Sequence, residues 1–158
     1  MNIFVLDNDF QTNAMYHVDK HVVKMLVEQT QLLCSAYYFT GQDDVSPYKL
    51  THKNHPCAVW VRESLSNWRW LREFTQALHN EYRYRYNKDH KSGLVAWSLP
   101  EPKLIDIGLT PFAQAMPDEY RSDDAVTAYR NYYLGEKRNL FSWKNRSVPK
   151  WIEQSLRR

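Results

Sequence analysis

The sequence predicts a mainly α protein: a single compact helical domain of three principal helices, with a short N-terminal extended arm and a long irregular connection before the third helix. Three observations carry this. Apolar residues recur every three or four positions over long stretches. Only four glycines occur in 158 residues, too few for a barrel or sandwich full of tight turns. Cap-type residues precede these stretches, and Gly or Pro follows them. The length fits one domain, residues 1–158, and is enough to bury a core without covalent staples.

Residues 2–6 form a short apolar run read as a strand or extended arm, and Asp7-Asn8-Asp9 reads as a turn and helix cap. From Gln11 to about Phe39, the residues Val18, Val22, Met25, Leu32 and Ala36 mark one helical face, and Gly41 ends it. A polar loop from Gln42 to Pro56 follows, with Pro56 at a helix start. The second helix extends to about Tyr86, with Trp60, Leu71, Leu78 and Tyr82 on its apolar side and Arg62, Arg69, Glu73, Gln76, Asn80 and Arg83 on its polar side. Lys91 to Pro117, interrupted by Pro100, Pro102 and Pro111, is expected to be a surface connection with at most one short helical turn. Ser122-Asp123-Asp124 caps a third helix reaching about Leu140, and Ser147-Val148-Pro149 opens a short terminal helix carrying Trp151.

Cys34 and Cys57 are too few for a disulfide scaffold and read as reduced core thiols of a cytosolic protein. The N-terminal apolar run lacks a basic flank and stops at Asp7, so no signal peptide is expected. No stretch reaches the roughly 18 apolar residues of a membrane span. Net charge is +3, but the stretch from Arg130 to Arg158 carries eight basic and two acidic residues. A basic end on a near-neutral body points to an anionic partner, DNA foremost, although a solvated basic tail gives the same count. Six Trp, eleven Tyr and six Phe, many beside Arg or Lys, strengthen that expectation. No phosphate-cradling Gly-rich loop, paired CxxC or Gly-x-Ser-x-Gly elbow occurs, which argues against nucleotide-triphosphate, zinc-ribbon and esterase chemistry.

Four groups of residues could carry chemistry. On a continuous first helix, His17, His21, Lys24 and Glu28 fall in one row at the border of the apolar face, flanked by Asp19 and Lys20. Two histidines four apart can hold a metal, with a third ligand from Glu28, His52 or His55; a hydrogen-bonded polar row is the plainer reading. The loop His52-Lys53-Asn54-His55-Pro56 suits a phosphate or an ordinary capped turn, and Arg62 and Arg69 add cations on the second helix. Tyr82-Arg83-Tyr84-Arg85-Tyr86 alternates rings and guanidiniums, but helical geometry points them in several directions, which favours packing for Tyr82 and Tyr86. Trp143-Lys144-Asn145-Arg146 with Lys150-Trp151 sets two indoles among cations, a composition suited to holding an unstacked base.

The layout resembles the pyrimidine-dimer DNA glycosylase family, the bacteriophage endonuclease V type. The resemblance lies in the arm leading into a long helix, Asn54-His55-Pro56 before a second helix, and the spacing of Trp68-Arg69-Trp70-Leu71-Arg72 through Glu81 and Arg85. Met116-Pro117-Asp118-Glu119-Tyr120-Arg121 and an aromatic, basic C-terminal segment complete it. It implies a glycosylase and abasic-site lyase that works without a cofactor, through an amine nucleophile and a Schiff base. The amine would belong to Met1, or to Asn2 if Met1 is removed, and an α-amine titrates near 8 against about 10.4 for lysine. Where the family has an Arg-Glu pair on its first helix, this chain reads His17-Val18-Asp19-Lys20-His21, leaving Asp19 and then Glu28 as the carboxylates and His17 as the matching histidine. Lys20 or Lys24 is the alternative amine if burial lowers its pKa. Two other functions fit the residues: a non-catalytic nucleic-acid-binding protein and a metal-dependent enzyme built on His17 and His21.

Overall fold

The first long apolar pattern folds as two helices. The computed structural model describes residues 2–158, and α1 (Phe10–Tyr16) and α2 (Asp19–Ser35) are separated by His17 and Val18, whose backbones are extended. The periodicity runs through this break, so the sequence does not reveal it. The backbone groups released there find distant partners. Arg85 takes the Met15 and His17 carbonyls, and the Asp19 N–H donates to the Ser142 carbonyl at 2.8 Å. Asp9 caps α1 by accepting from the Thr12 N–H, as the sequence predicts.

The second long pattern also divides, into α3 (Pro56–Glu63) and α4 (Leu65–Tyr86). Ser64, extended at φ −155°, is the junction. The segment around Asp106 inserts there: Ser64 Oγ donates to the Asp106 carboxylate, Ile107 N–H donates to Ser64 Oγ, and Leu65 N–H donates to the Ile105 carbonyl. Hydrogen bonds from Ser64, Ser66 and the Gly108 N–H hold the Asp106 carboxyl at about 2, below the usual carboxylate range.

The stretch expected to be irregular begins with a two-turn helix, α5 (Lys91–Ser98), capped by His90, whose imidazole accepts the Ser92 N–H. Only residues beyond Leu99 are irregular up to the 3-10 turn at Asp118–Tyr120. The third expected helix, α6 (Ala125–Glu136), ends one turn early and passes into a 3-10 turn at Arg138–Leu140. The terminal helix is α7 (Lys150–Leu156). Seven α-helices thus stand where three principal ones and a short terminal one were expected, and the described residues contain no strand.

Helices α2 and α4 run antiparallel through the core. At one end the Trp68 indole N–H donates to the Leu33 carbonyl, and at the other Arg85 pairs with Asp19. Between these ends Val22, Leu26, Leu32 and Leu33 gather with Trp68, Leu71, Phe74 and Leu78 in one core cluster, all with no solvent exposure. The arm, residues 3–6, is buried along its whole length instead of alternating in and out. Its backbone is paired by side chains: Leu6 N–H donates to Asn13 Oδ1 and Arg130 Nε donates to the Leu6 carbonyl. This pins residue 2 beside α2.

Gly93 of α5 abuts the buried ring of His79, and a Cβ there would lie 2.3 Å from the ring. Helix propensity alone makes Gly→Ala favourable by about 1 kcal/mol. The imidazole cannot retreat, because it is 1 % exposed and accepts the His90 N–H at 3.0 Å. Gly93→Ala is therefore expected to cost about 1–3 kcal/mol by overpacking, read as a lower denaturant midpoint at unchanged slope.

Candidate active site and nucleic-acid interface

A fully buried cation organises this side of the molecule. The Arg85 side chain has no solvent exposure. Its Nε donates to Glu81 at 2.8 Å, Nη1 to the His17 carbonyl and to Asp19, and Nη2 to the Met15 carbonyl. Glu81, equally buried, also accepts two bonds from Arg146 at 3.0 and 2.9 Å. Asp19 accepts further from Ser142 Oγ at 2.7 Å and from the Lys144 N–H at 2.8 Å. The C-terminal segment is thereby clamped onto the α1–α2 junction. The Trp143 indole N–H donates to the Tyr16 carbonyl, and Trp151 packs between Tyr16 and Tyr133 under the Arg130 guanidinium. Arg146 lies 3.7 Å above the Tyr84 ring.

The chain's beginning, one face of α2 and the segment after α6 meet in a small cavity of about 120 Å³, lined by Asn2, Phe4, His21, Lys24, Met25, Glu28 and Lys137. His21, Lys24 and Glu28 occupy successive turns of α2, the row expected from their spacing. Met1 lies outside the described residues. Lys137 joins this group because α6 ends just before it, and its Nζ sits 5.0 Å from the Tyr132 ring centre.

His17 does not belong to that row. It lies in the α1–α2 break, fully buried, with Nδ1 at 2.7 Å from the Asn13 carbonyl and the rings of Phe4, Phe74 and Tyr133 around it. His21 is stacked on Phe4 at 4.4 Å, with Nδ1 at 2.6 Å from the Tyr133 hydroxyl. Burial drives both imidazoles down to about 3; Arg85 adds to this at His17, and His17, Lys137 and Lys24 add to it at His21. Both rings are therefore neutral at pH 7.

Lys24 also lines a wider cleft of about 670 Å³ with Asp19, Lys20, Val23, Tyr86 and Leu140. Lys144 stands over the Tyr86 ring, its Nζ 5.2 Å from the centre. Past the other end of the Glu28 turn, Val27 and Gln31 line a cleft of about 420 Å³ with Tyr48, Lys49 and Thr51. The outward face of α2 thus carries a row of depressions edged by Lys20, Lys24, Lys49, Lys137 and Lys144.

The remaining predicted residues sit apart from the small cavity's wall or beside it. His55 Nδ1 accepts the Cys57 N–H and caps α3; burial holds this imidazole below its usual range while Glu28 pulls the other way, so its neighbourhood includes Glu28. Arg62 donates to the Lys53 carbonyl at 2.6 Å and stacks on Phe39, which fixes the loop that exposes His52 and Lys53. Arg69 pairs with Glu101 near the start of α4. Lys150 is exposed and lines a separate cleft of about 500 Å³ with Met15, Tyr16, Asn145, Arg146 and Ser147. Sequence reasoning did not bring Lys137 or Tyr133 to this cavity, and it named Glu81 and Arg85 only for their spacing and, for Arg85, as one of an alternating run. Among the described residues, no three His, Cys, Asp or Glu side chains form a metal-binding group, and no helix is long and apolar enough to cross a membrane.

Residues 1–93 match the model of the pyrimidine dimer DNA glycosylase family. That stretch is more than half of the chain and includes the arm, α2 and the Glu28 turn, and the protein belongs to this family. A DNA glycosylase-type function, with DNA as the partner, goes with it. No curated protein and no solved structure matches the chain significantly.

Two outcomes are expected from the buried groups. The imidazoles of His17 and His21 stay neutral in the native state down to about 3, whereas in the unfolded chain they protonate near 6.5. Their folded-state pKa values are lowered, so their contribution is intact above about 6.5 and is lost as pH falls from there towards 3. The loss is about 1.4 kcal/mol per pH unit for each ring. Urea melts between pH 7 and 4.5 measure it, and His21→Gln should roughly halve the contribution of this pair. Glu81→Gln leaves Arg85 without its main counter-charge and should cost about 3–5 kcal/mol in the same assay.

Proposed function

We propose that the protein excises a damaged or modified base from DNA and opens the resulting abasic site through a Schiff base, using the cavity beside Asn2. One observation carries this reading: Asn2, His21, Lys24, Glu28 and Lys137 line the same cavity. The nucleophile is the α-amine at the chain's start, carried by Met1 or, once Met1 is removed, by Asn2. An α-amine ordinarily titrates near 8 and a lysine near 10.4, so at neutral pH the former is far more often unprotonated. Lys24 and Lys137 are the rival amines.

The amine's lone pair attacks the sugar carbon C1′. The C1′–N bond to the base breaks, and the base leaves with that electron pair and takes up a proton. The nitrogen gives up one of its two protons, its lone pair opens the C1′–O4′ bond, O4′ is protonated, and the protonated imine forms. Removal of a C2′ proton expels the 3′ phosphate. Of the two candidate carboxylates, Glu28 is the one we assign to handle these protons and to stabilise the developing cation. Glu28 lines the same cavity as Asn2, whereas Asp19 lines the neighbouring cleft. Lys20, Lys24, Lys137 and Lys144 supply phosphate contacts along the outward face of α2, with Tyr86 available to stack. Arg146 and Trp143, bonded internally, hold the interface together.

Borohydride reduction of the protein mixed with abasic-site DNA is expected to leave a covalent adduct, and mass mapping should find it on the N-terminal peptide. Glu28→Gln should slow adduct formation by about 10²–10⁴-fold, whereas Asp19→Asn should chiefly lower stability. A wild-type protein that forms no adduct overturns the reading. Salt-dependent DNA binding without any adduct would instead identify a non-catalytic binding protein.

A further inference from the structure

The deepest polar contact of the cavity wall involves a residue far along the chain. Tyr133, on α6, is buried, and its hydroxyl makes two contacts: the Val18 N–H donates to it at 3.4 Å, and His21 Nδ1 lies 2.6 Å away. Among the described residues it has no other hydrogen-bond partner. A phenol owns one proton. If His21 Nδ1 carried the imidazole proton, the Tyr133 hydroxyl would accept twice and bury its own proton without an acceptor, an arrangement costing about 1–3 kcal/mol. If Tyr133 donates to Nδ1, every group in the chain Val18–Tyr133–His21 is satisfied, and the imidazole proton resides on Nε2. The Phe4 ring, nearly parallel to His21 at 13°, prevents the imidazole from turning out of this contact.

We propose that Tyr133 is a positioning residue that fixes His21 in its Nε2–H form, so that an uncharged N–H donor lines the cavity shared with Asn2, Lys24, Glu28 and Lys137. The proposal rests on the reading of this cavity as the substrate site. His17 takes the opposite form. Its Nδ1 faces a carbonyl, which can only accept, so its proton is on Nδ1, and its Nε2 is buried without a partner. The two histidines therefore have different tasks: His17 fills the core, while His21, with its proton on Nε2, is one of the residues that line the cavity.

An uncharged donor suits the chemistry. Lys24 and Lys137 face the same space, His17 lies behind the ring, and a Schiff base adds a further positive charge. A protonated imidazole would be repelled by both lysines and by the Schiff base. A neutral N–H can hydrogen-bond an oxygen of the opened sugar without that penalty. The surroundings are consistent: burial pushes the Tyr133 phenol far above its usual range, so it keeps its proton to donate.

The test uses the full chain with ¹⁵N-labelled histidine and long-range ¹H–¹⁵N correlation at pH 7, which reports the protonated nitrogen of each ring without any substrate. Wild type is expected to show His21 protonated on Nε2 and His17 on Nδ1. Tyr133→Phe should turn His21 into a mixture of forms and slow adduct formation about tenfold at saturating abasic DNA, the loss of one hydrogen bond's worth of barrier. Tyr129→Phe, which removes another buried hydroxyl, one that donates to the Ala113 carbonyl, should change neither. His21 protonated on Nδ1 in the wild type overturns the proposal without recourse to any variant. So does a Tyr133→Phe protein whose His21 spectrum and adduct rate are those of wild type. Absence of a wild-type adduct instead refutes the reading of the cavity, whatever form His21 takes.

Discussion

The architecture of the site depends on satisfying one buried guanidinium. Arg85 brings a charge and five N–H donors into a place with no water, and such a group is tolerable only when its donors meet acceptors and its charge meets a counter-charge. Glu81, one turn earlier on α4, and Asp19, at the start of α2, supply the carboxylates. The remaining acceptors are the Met15 and His17 carbonyls, which are free only because the helix stops there. The kink between α1 and α2 and the burial of Arg85 are thus one event. Its result is that α2 starts at Asp19 with its own orientation, and the His21–Glu28 face comes to lie beside the arm.

That same event explains which parts were legible in the sequence. The apolar periodicity located the helical stretches, the Asp9 and Asp124 caps were correctly read, and the His21, Lys24, Glu28 row followed from spacing on a helix. The breaks at His17–Val18 and Ser64 were not legible. Neither interrupts the periodicity, and each exists because a side chain or loop from elsewhere claims the released backbone. Helix α5 was hidden by its two-turn length and by the prolines that follow it, and Gly93 within it packs against His79. His17 left the row when the helix broke. Lys137 and Tyr133 were out of reach because more than a hundred residues separate them from the groups they face. They also lie beyond the stretch that matches the family model, which ends at residue 93.

The basic and aromatic C-terminal segment illustrates a separate lesson. By composition Trp143, Arg146 and Trp151 look like ligand contacts. In the fold the Trp143 indole is spent on a carbonyl, Arg146 on Glu81, and Trp151 on packing. Charge count alone does not distinguish a cation that faces a partner from one that neutralises a buried acid. Lys20, Lys24 and Lys137 by contrast line open depressions on the α2 face.

The buried arm also governs how the protein can be handled. Residues 3–6 are buried and Asn2 lines the small cavity, so a purification handle fused ahead of Asn2 would be tethered beside that cavity. Leu156 at the end of α7 and residues 157–158 beyond it, by contrast, are exposed. A tag or surface-immobilisation anchor belongs at that end.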